Sequence, residues 1–309
     1  MFEKIFYSEN RLLRSPEFFS DESWIEARLR DRNTRIVPVW RNRNLIRNED
    51  SPAAIALSGD HARGLLEIAG EIALLGVDAG RGESPYIAVD ISEHDLPTLT
   101  PLMGQAEFLD LRQVGVLMDG HDGSLLAHAR GLMYWHRHSR YCSDCGNPTQ
   151  SAEAGRMRRC TNDQCGRDHF PRTDPAVIML VTRPGPEGGA CLLGRHPNLP
   201  EGIYSTLAGF VDQGESLEQA VVREVFEEAG IHVDDVQYRA SQPWPFPASL
   251  MLGYRARATS VEIDIGEDEL EDARWFTKTQ VANIEDLNIR LPRKDSIAYW
   301  LIAEWLAED

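Results

Sequence analysis

The chain has 309 residues, enough to bury a sizeable core and, by length alone, to form about two domains. Its hydrophobic content of 42% and charged content of 26% are those of an ordinary globular protein, and no run approaches a membrane span. A net charge of −17 excludes a surface that coats nucleic-acid backbones without regard to sequence, since such binding relies on Lys and Arg; a small anionic substrate has to be drawn in locally.

The start, MFEKIFYSENRLLR, lacks the continuous apolar segment of a signal peptide, and the closing LAED carries no lipidation or retention signal, so the expectation is a cytoplasmic protein with no membrane partner. Five cysteines, four of them clustered, suit metal binding in a reducing compartment better than a disulfide framework. Residues 1–135 alternate short apolar runs with polar turns. Of these, TRIVPVWR (34–41), AAIALSG (53–59) and PYIAVDIS (85–92) predict strands of a β-rich N-terminal domain. In SLLAHARGLMYWHRHSRYC, Leu125, Leu126, Ala129, Leu132, Met133 and Trp135 fall near helical spacing and predict a helix leading to the first cysteine. Arg112, in LRQV, reads alone as a surface arginine. His128, His136 and His138 read as solvated or helix-facing, because four better zinc ligands follow at once.

Those ligands are Cys142-Ser-Asp-Cys145 and Cys160-Thr-Asn-Asp-Gln-Cys165, which predict a zinc ribbon over 136–170 with two thiolates from each knuckle on one tetrahedral ion. With all four positions filled by protein, a single Zn²⁺ per chain would be structural. The second pair is spaced more widely than usual, which implies a looser knuckle. Cys191, in ACLLG, reads as core.

Beyond Phe170 the pattern predicts a strand over 176–182, a Pro/Gly-rich turn, a strand over 190–194 and a third around Tyr204 to Ala208. The last feeds Gly209–Ile231, GFVDQGESLEQAVVREVFEEAGI, a loop and then a helix with Ser216 as N-cap, Gln219 completing a capping box and Gly230 as stop. Glu224, Glu227 and Glu228 fall at i, i+3 and i+4, so they share a face and repel one another unless a cation sits among them. A hard divalent ion is the candidate, and a solvated acidic face the plainer alternative. Leu217, Ala220 and Val221 on one side, with Val222, Val225, Phe226 and Ala229 on another, predict a helix packed on more than one flank. SQPWPFPASLM (241–251) interleaves three prolines with Trp244 and Phe246 and predicts a rigid extended loop. Strands over 249–259 and 273–276 complete a mixed sheet, and a helix over 296–306 presents Ile297, Trp300, Leu301 and Trp305 to the core.

Counted from Gly209, the positions Glu215, Arg223-Glu224-Val225, Glu227-Glu228 and Gly230-Ile231 match the Nudix box, so residues 171–309 resemble the Nudix hydrolases, which cleave nucleoside diphosphates linked to another group. With the ribbon and the SQPWPFP array, the chain is similar to the NADH pyrophosphatases, also known as NAD-capped RNA hydrolases, strongly from about Arg112 onward. The resemblance implies an α/β fold: a Nudix α/β/α sandwich around a mixed sheet, preceded by the ribbon and the β-rich domain. It implies catalytic Mg²⁺ or Mn²⁺ held by Glu224, Glu227, Glu228, the backbone carbonyl of Ala208 and Glu269, with Arg223 orienting a glutamate and Glu228 the most sensitive position. It places nicotinamide against Phe210 and Phe170, and puts Gln242, Pro243, Trp244, Pro245, Phe246, Pro247, Ala248 and Ser249 around the nucleotide. Arg112 becomes a substrate contact. Phe170 stands where some members carry tyrosine, and a phenyl ring stacks but donates no hydrogen bond. The implied activity is hydrolysis of NADH and NAD⁺ to nicotinamide mononucleotide and AMP by a homodimer. Removal of the NAD cap from RNA 5′ ends is the alternative; that of another class is a zinc-ribbon RNA-binding or regulatory module on an inactive Nudix scaffold.

Overall fold

A computed structural model of the chain describes residues 5–81, 83–266 and 270–308. The chain divides into two compact units. The N-terminal unit is Tyr7–Thr173 together with Trp244–Ala248, and the C-terminal unit is Asp174–Pro243 with Ser249–Asp309 and the residues up to Phe6. No described helix is long and apolar enough to cross a membrane.

In the N-terminal unit, RIVPVW forms the strand Arg35–Trp40, whose last five residues are all buried because the strand is covered on both faces. It pairs antiparallel with Arg43–Arg47 and parallel with Ser84–Asp90, and Glu71–Asp78 extends the sheet beyond the latter. Helices Gly59–Ile68 and Leu96–Met103 bury Leu65 and Leu99 in one core with Ile36, Leu45, Leu74 and Ile87. The 19-residue helix Gly120–His138 packs on the same sheet through its apolar stripe. AAIALSG departs from expectation: only Ala53–Ala54 pair as a strand, Leu57 makes a single bridge to Ile36, and Gly59 already opens a helix behind Ser58. The apolar alternation ends where the i, i+3, i+4 spacing of Ala62, Leu65 and Leu66 begins.

The ribbon strands Thr149–Ala152, Met157–Cys160 and Asp168–His169 belong to this unit, which thus holds both the ribbon and the residues expected as a separate N-terminal domain. A buried charge network explains the union. Arg158, 4% exposed, pairs with Glu71 of the larger sheet, donates to Thr149 Oγ1 and O at 2.8 and 2.9 Å, and meets His136 Nδ1 at 2.9 Å. His136 is buried and its Nε2 meets the Gly155 carbonyl at 2.8 Å, so it is a framework residue, while His138 stays exposed on Tyr134.

The C-terminal unit is a mixed sheet with a helix on each face. Its strands run in the order Val233–Trp244, Ser249–Ala258, Asp174–Arg183, Ala190–Arg195, Asp272–Thr277, with Leu207–Phe210 also pairing on Asp174–Arg183. Asp174–Arg183 and Ser249–Ala258 are parallel, as a crossover through the intervening helix requires. Val177, Met179 and Val181 face the helix Leu217–Ala229, while Ile178 and Leu180 face the helix Ile297–Leu306, so this strand is apolar throughout. The strand before the first helix is Leu207–Phe210, shifted from the expected 204–208. Residues 241–244 of the array are not loop but the end of the strand Val233–Trp244.

Gln242 illustrates how that strand is held. It is 1% exposed, donates to the carbonyls of Phe6 and Asp295 at 3.2 and 2.8 Å, and accepts from Ile297 N–H at 2.8 Å, the first residue of the final helix. Its amide satisfies backbone groups that a helix start leaves open. Gln242→Met is therefore expected to lower stability by about 1–3 kcal/mol, read as a lower apparent urea midpoint, because it strands buried backbone groups without changing side-chain volume much. An unchanged midpoint would remove this role.

Candidate active site and candidate metal centre

The helix Leu217–Ala229 begins in a complete capping box: Gln219 N–H donates to Ser216 Oγ at 3.2 Å and Ser216 N–H to Gln219 Oε1 at 2.9 Å. It ends at Gly230, whose φ of 66° is left-handed. Leu217, Ala220, Val221, Val225 and Ala229 pack on the sheet, but Val222 and Phe226 are 40% and 50% exposed. The helix is therefore buried along one side and not on two flanks. Phe226 stacks on His232 at 4.9 Å at the surface.

The three glutamates are not equivalent. Glu224 and Glu228, one turn apart, are 8% and 7% exposed, whereas half of the Glu227 side chain is open to solvent. Glu228 Oε1 accepts from Ala208 N–H at 3.4 Å, on the strand Leu207–Phe210. The next residue of that strand, Gly209, leaves the space that the Glu224 carboxylate occupies. A Cβ on Gly209 would come within 1.9–2.1 Å of the Glu224 carboxylate.

Arg223 organises this face. Nε and Nη2 donate to the two oxygens of Glu215, each at 2.8 Å; Nη1 donates to Glu224 Oε1 at 2.8 Å and Glu227 Oε2 at 2.9 Å; Nη2 also donates to the Phe210 carbonyl at 2.9 Å. All five guanidinium hydrogens are used. Glu215, and then Glu224 and Glu227, hold the Arg223 pKa far above its ordinary value, and Arg223 in turn holds Glu215 below the carboxylate range. Even so, three carboxylates share one guanidinium, a fourth, on Glu228, is buried one turn from Glu224, and the donors are all oxygen. That set, with the Gly209 cradle pressing on Glu224, fits a hard divalent cation. Glu269 lies outside the described residues.

The substrate-side residues fall in both units. Phe210 closes its strand and is 61% exposed, and Phe170 is 64% exposed at the exit of the ribbon. Arg112, in the N-terminal unit, has its guanidinium 4.8 Å from the Phe246 ring and donates to the Phe246 carbonyl at 3.2 Å. On the same ring Arg130 also lies at 4.8 Å, and its Nε donates to the Pro245 carbonyl at 2.8 Å. Tyr7 and Trp244 meet Phe246 edge-on at 6.1 and 5.0 Å. Phe246 is only 7% exposed and Gln242 1%, so their side chains pack into the framework; Pro245 is buried too. Trp244 and Ala248 are half-buried, Pro243 and Pro247 exposed, and Ser249 opens its strand opposite Asp174. Sequence reasoning missed Arg130 and Tyr7, for which a lone arginine in a helix and a tyrosine in an irregular segment give no local signal.

The four cysteine Sγ atoms lie within 4.8 Å of one another, and none is in a disulfide. In the first knuckle Gly146 N–H donates to the Cys142 carbonyl at 3.0 Å. In the second, the equivalent bond from Gly166 goes to Asn162 at 2.8 Å, so Asn162 takes the turn position and Cys160 reaches in from its strand. This is why the pair is spaced by four residues. The Asn147 backbone N–H and then its side-chain amide hold the Cys145 thiol down to about 6. Cys160, although Asn162 N–H favours its thiolate, is pushed up to about 12 by burial and the neighbouring sulfurs. Four sulfurs within 4.8 Å of one another suit Zn²⁺ and would leave it no open position.

The fold and the box define a Nudix domain, and residues 172–299 match the family model "NUDIX domain". Residues 33–135 match "NADH pyrophosphatase-like rudimentary NUDIX domain" and residues 137–170 "NADH pyrophosphatase zinc ribbon domain". The chain is 43% identical over 232 residues to NAD-capped RNA hydrolase NudC of Pseudomonas aeruginosa, covering 75% of this chain and 76% of that one. It is 42% identical over 195 residues to human NAD-capped RNA hydrolase NUDT12, covering 60% of this chain but 42% of that protein, so the match spans less than half of that relative's length. A solved NUDIX hydrolase from Nitrosomonas europaea is 24% identical with a TM-score of 0.37, covering 45% of this chain and 78% of that one. The chain belongs to the NADH pyrophosphatase, or NAD-capped RNA hydrolase, family of Nudix hydrolases.

Metal analysis is expected to find one zinc per chain, and Cys145→Ser to lower both zinc content and the thermal midpoint, since metal binding at such a site is folding energy. Full stability of zinc-free protein would show the ribbon to be dispensable.

Proposed function

We propose that the C-terminal unit hydrolyses the pyrophosphate bond of NADH and NAD⁺, giving nicotinamide mononucleotide and AMP. The observation that carries this reading is the cluster around Arg223: Glu215, Glu224 and Glu227 gathered on one guanidinium, with Glu224 and the neighbouring Glu228 buried against the strand that ends in the exposed Phe210. Glu224, Glu227, Glu228 and the Ala208 carbonyl, with Glu269, would hold Mg²⁺ or Mn²⁺, which when bound neutralises phosphate oxygens and lowers the pKa of water. Arg223 fixes the Glu224 and Glu227 carboxylates by bonds that a lysine cannot reproduce, because only the planar fork reaches three acids at once. Glu228 carries the buried charge nearest the Ala208 amide, and in this reading it serves the metal or takes the proton of the attacking water. Water adds to one phosphorus, the bridging P–O bond breaks, and the second phosphate leaves with that oxygen.

By family resemblance alone, Phe210 and Phe170 would stack on the nicotinamide end, with Arg112 and the backbone and side chains of Gln242 through Ser249 toward the nucleotide. Arg112 meets Phe246, so it would act in part by positioning that loop. NAD-capped RNA is a second substrate class, favoured by the names of the relatives, and the charge of −17 speaks for contact with the cap more than with the RNA backbone. With this reading go a homodimeric assembly, from family resemblance, and a cytoplasmic location suited to free thiols. An inactive scaffold is the poorer reading, because every carboxylate of the box is in place.

Glu228→Gln is expected to keep the fold and lower turnover of NADH by two to four decades, the usual cost of losing such a group, roughly 3–5 kcal/mol. Retention of more than about a tenth of the rate would remove Glu228 from the chemistry. Phe210→Ala is expected to depress kcat/KM for NADH about one to two decades more than for ADP-ribose, which lacks the nicotinamide, as base stacking of about 1–3 kcal/mol implies. An equal loss on both substrates would mean that Phe210 only packs the fold.

A further inference from the structure

The N-terminal unit contains a second concave site. Arg35 and Arg47 stand at the open end of the antiparallel pair Arg35–Trp40 and Arg43–Arg47. Tyr86, the parallel partner of Arg35, and Asp78, the last residue of its strand, reach the same end of the sheet. With Arg11 and the first turns of the helix Gly120–His138 they enclose a cavity of about 620 Å³, within the range of small-molecule sites. Ile55 and Leu125 supply apolar wall.

Three arginines on one cavity run against the composition of a chain with a net charge of −17. Among the described residues they are short of partners. Arg35 Nε is buried with no hydrogen-bond acceptor, and its Nη1 meets only Ser58 Oγ, at 3.5 Å. The Arg11 guanidinium has no acidic partner, and Arg47 approaches only Glu49, at 3.9 Å. The two lining acids are already engaged: Asp122 Oδ2 accepts from Ala54 N–H at 2.8 Å and Asp78 Oδ1 from Gly80 N–H at 2.9 Å. A buried guanidinium nitrogen without an acceptor is costly, and the three arginines of the lining outnumber its two acids. The start of a long helix adds to the same potential.

We propose that this cavity binds a small phosphate monoester of nucleotide size. The arginines hold the phosphate, whose double charge and tetrahedral oxygens match several guanidinium donors. The second oxygen of Asp122 accepts from a sugar hydroxyl, and Ile55 and Leu125 meet the less polar face of the ligand.

AMP is the probe. Calorimetric titration into the whole chain, without added divalent metal, is expected to show a binding event that survives Glu228→Gln and weakens at least about tenfold in Arg35→Gln/Arg47→Gln. Inorganic phosphate is expected to compete, and adenosine to bind far more weakly. Arg63→Gln, which removes the same charge from an exposed helix position, is expected to leave the affinity unchanged. If the double variant misfolds, Arg11→Gln carries the test, since Arg11 is exposed and outside every helix and strand. Absence of AMP binding, unchanged affinity in the folded arginine variants, equal binding of adenosine, or an equal loss in Arg63→Gln would each overturn the proposal.

Discussion

The candidate active site depends on one guanidinium. Four carboxylates within a turn or two of each other repel, and without compensation the helix that carries three of them would be destabilised along that side. Arg223 answers this with all five of its hydrogens, on Glu215, Glu224, Glu227 and the Phe210 carbonyl. The pairing leaves the cluster negative, so it organises the acids without satisfying the need for a cation. It also ties the helix to the loop before it and to the end of the neighbouring strand, which fixes the backbone carbonyls and the exposed Phe210 relative to the acids.

A similar economy governs the SQPWPFP array. Its residues alternate between holding and presenting. Gln242 is fully engaged inside the C-terminal unit, and Phe246 lies between two guanidinium groups in the N-terminal unit, contacts worth about 0.5–2 kcal/mol each. Pro243, Trp244 and Pro247 between and beside them remain accessible. Residues at a hairpin tip that are to meet a ligand need such anchors, because an unanchored loop loses affinity to the entropy of ordering it on each binding event.

The ribbon is built into its unit by a buried polar network beside the apolar packing of Ala154 on the core. Arg158, Glu71, His136 and Thr149 satisfy one another, and such a network is stable only when complete. The zinc cysteines fix the outer end of the same short strands. Metal and ion pair thus act on a segment too small to hold its shape by hydrophobic burial alone.

Local signals in the sequence determined what depends on spacing within a few residues. The capping box, the glycine stop, the glutamates on one helix side and the two cysteine knuckles were legible because helix period, cap chemistry and ligand spacing act over one to three turns. The same rules read the central strand Asp174–Arg183 and its neighbour Ala190–Arg195 from their continuous apolar runs, but not the edge strand Val233–Trp244, which is mostly exposed or half-buried. Tertiary structure alone decided which of those residues are free to meet a substrate. Phe246 and Gln242 look like binding groups in the sequence and are buried; Val222 and Phe226 look like core and are exposed. The partners that fix them, Arg112 and Arg130 for Phe246 and Asp295 and Ile297 for Gln242, are 53 to 134 residues away. No periodicity or propensity reaches across that separation. Only the folding of distant strands and helices onto one another brings Arg11, Arg35 and Arg47 to one cavity, or Glu71 to Arg158.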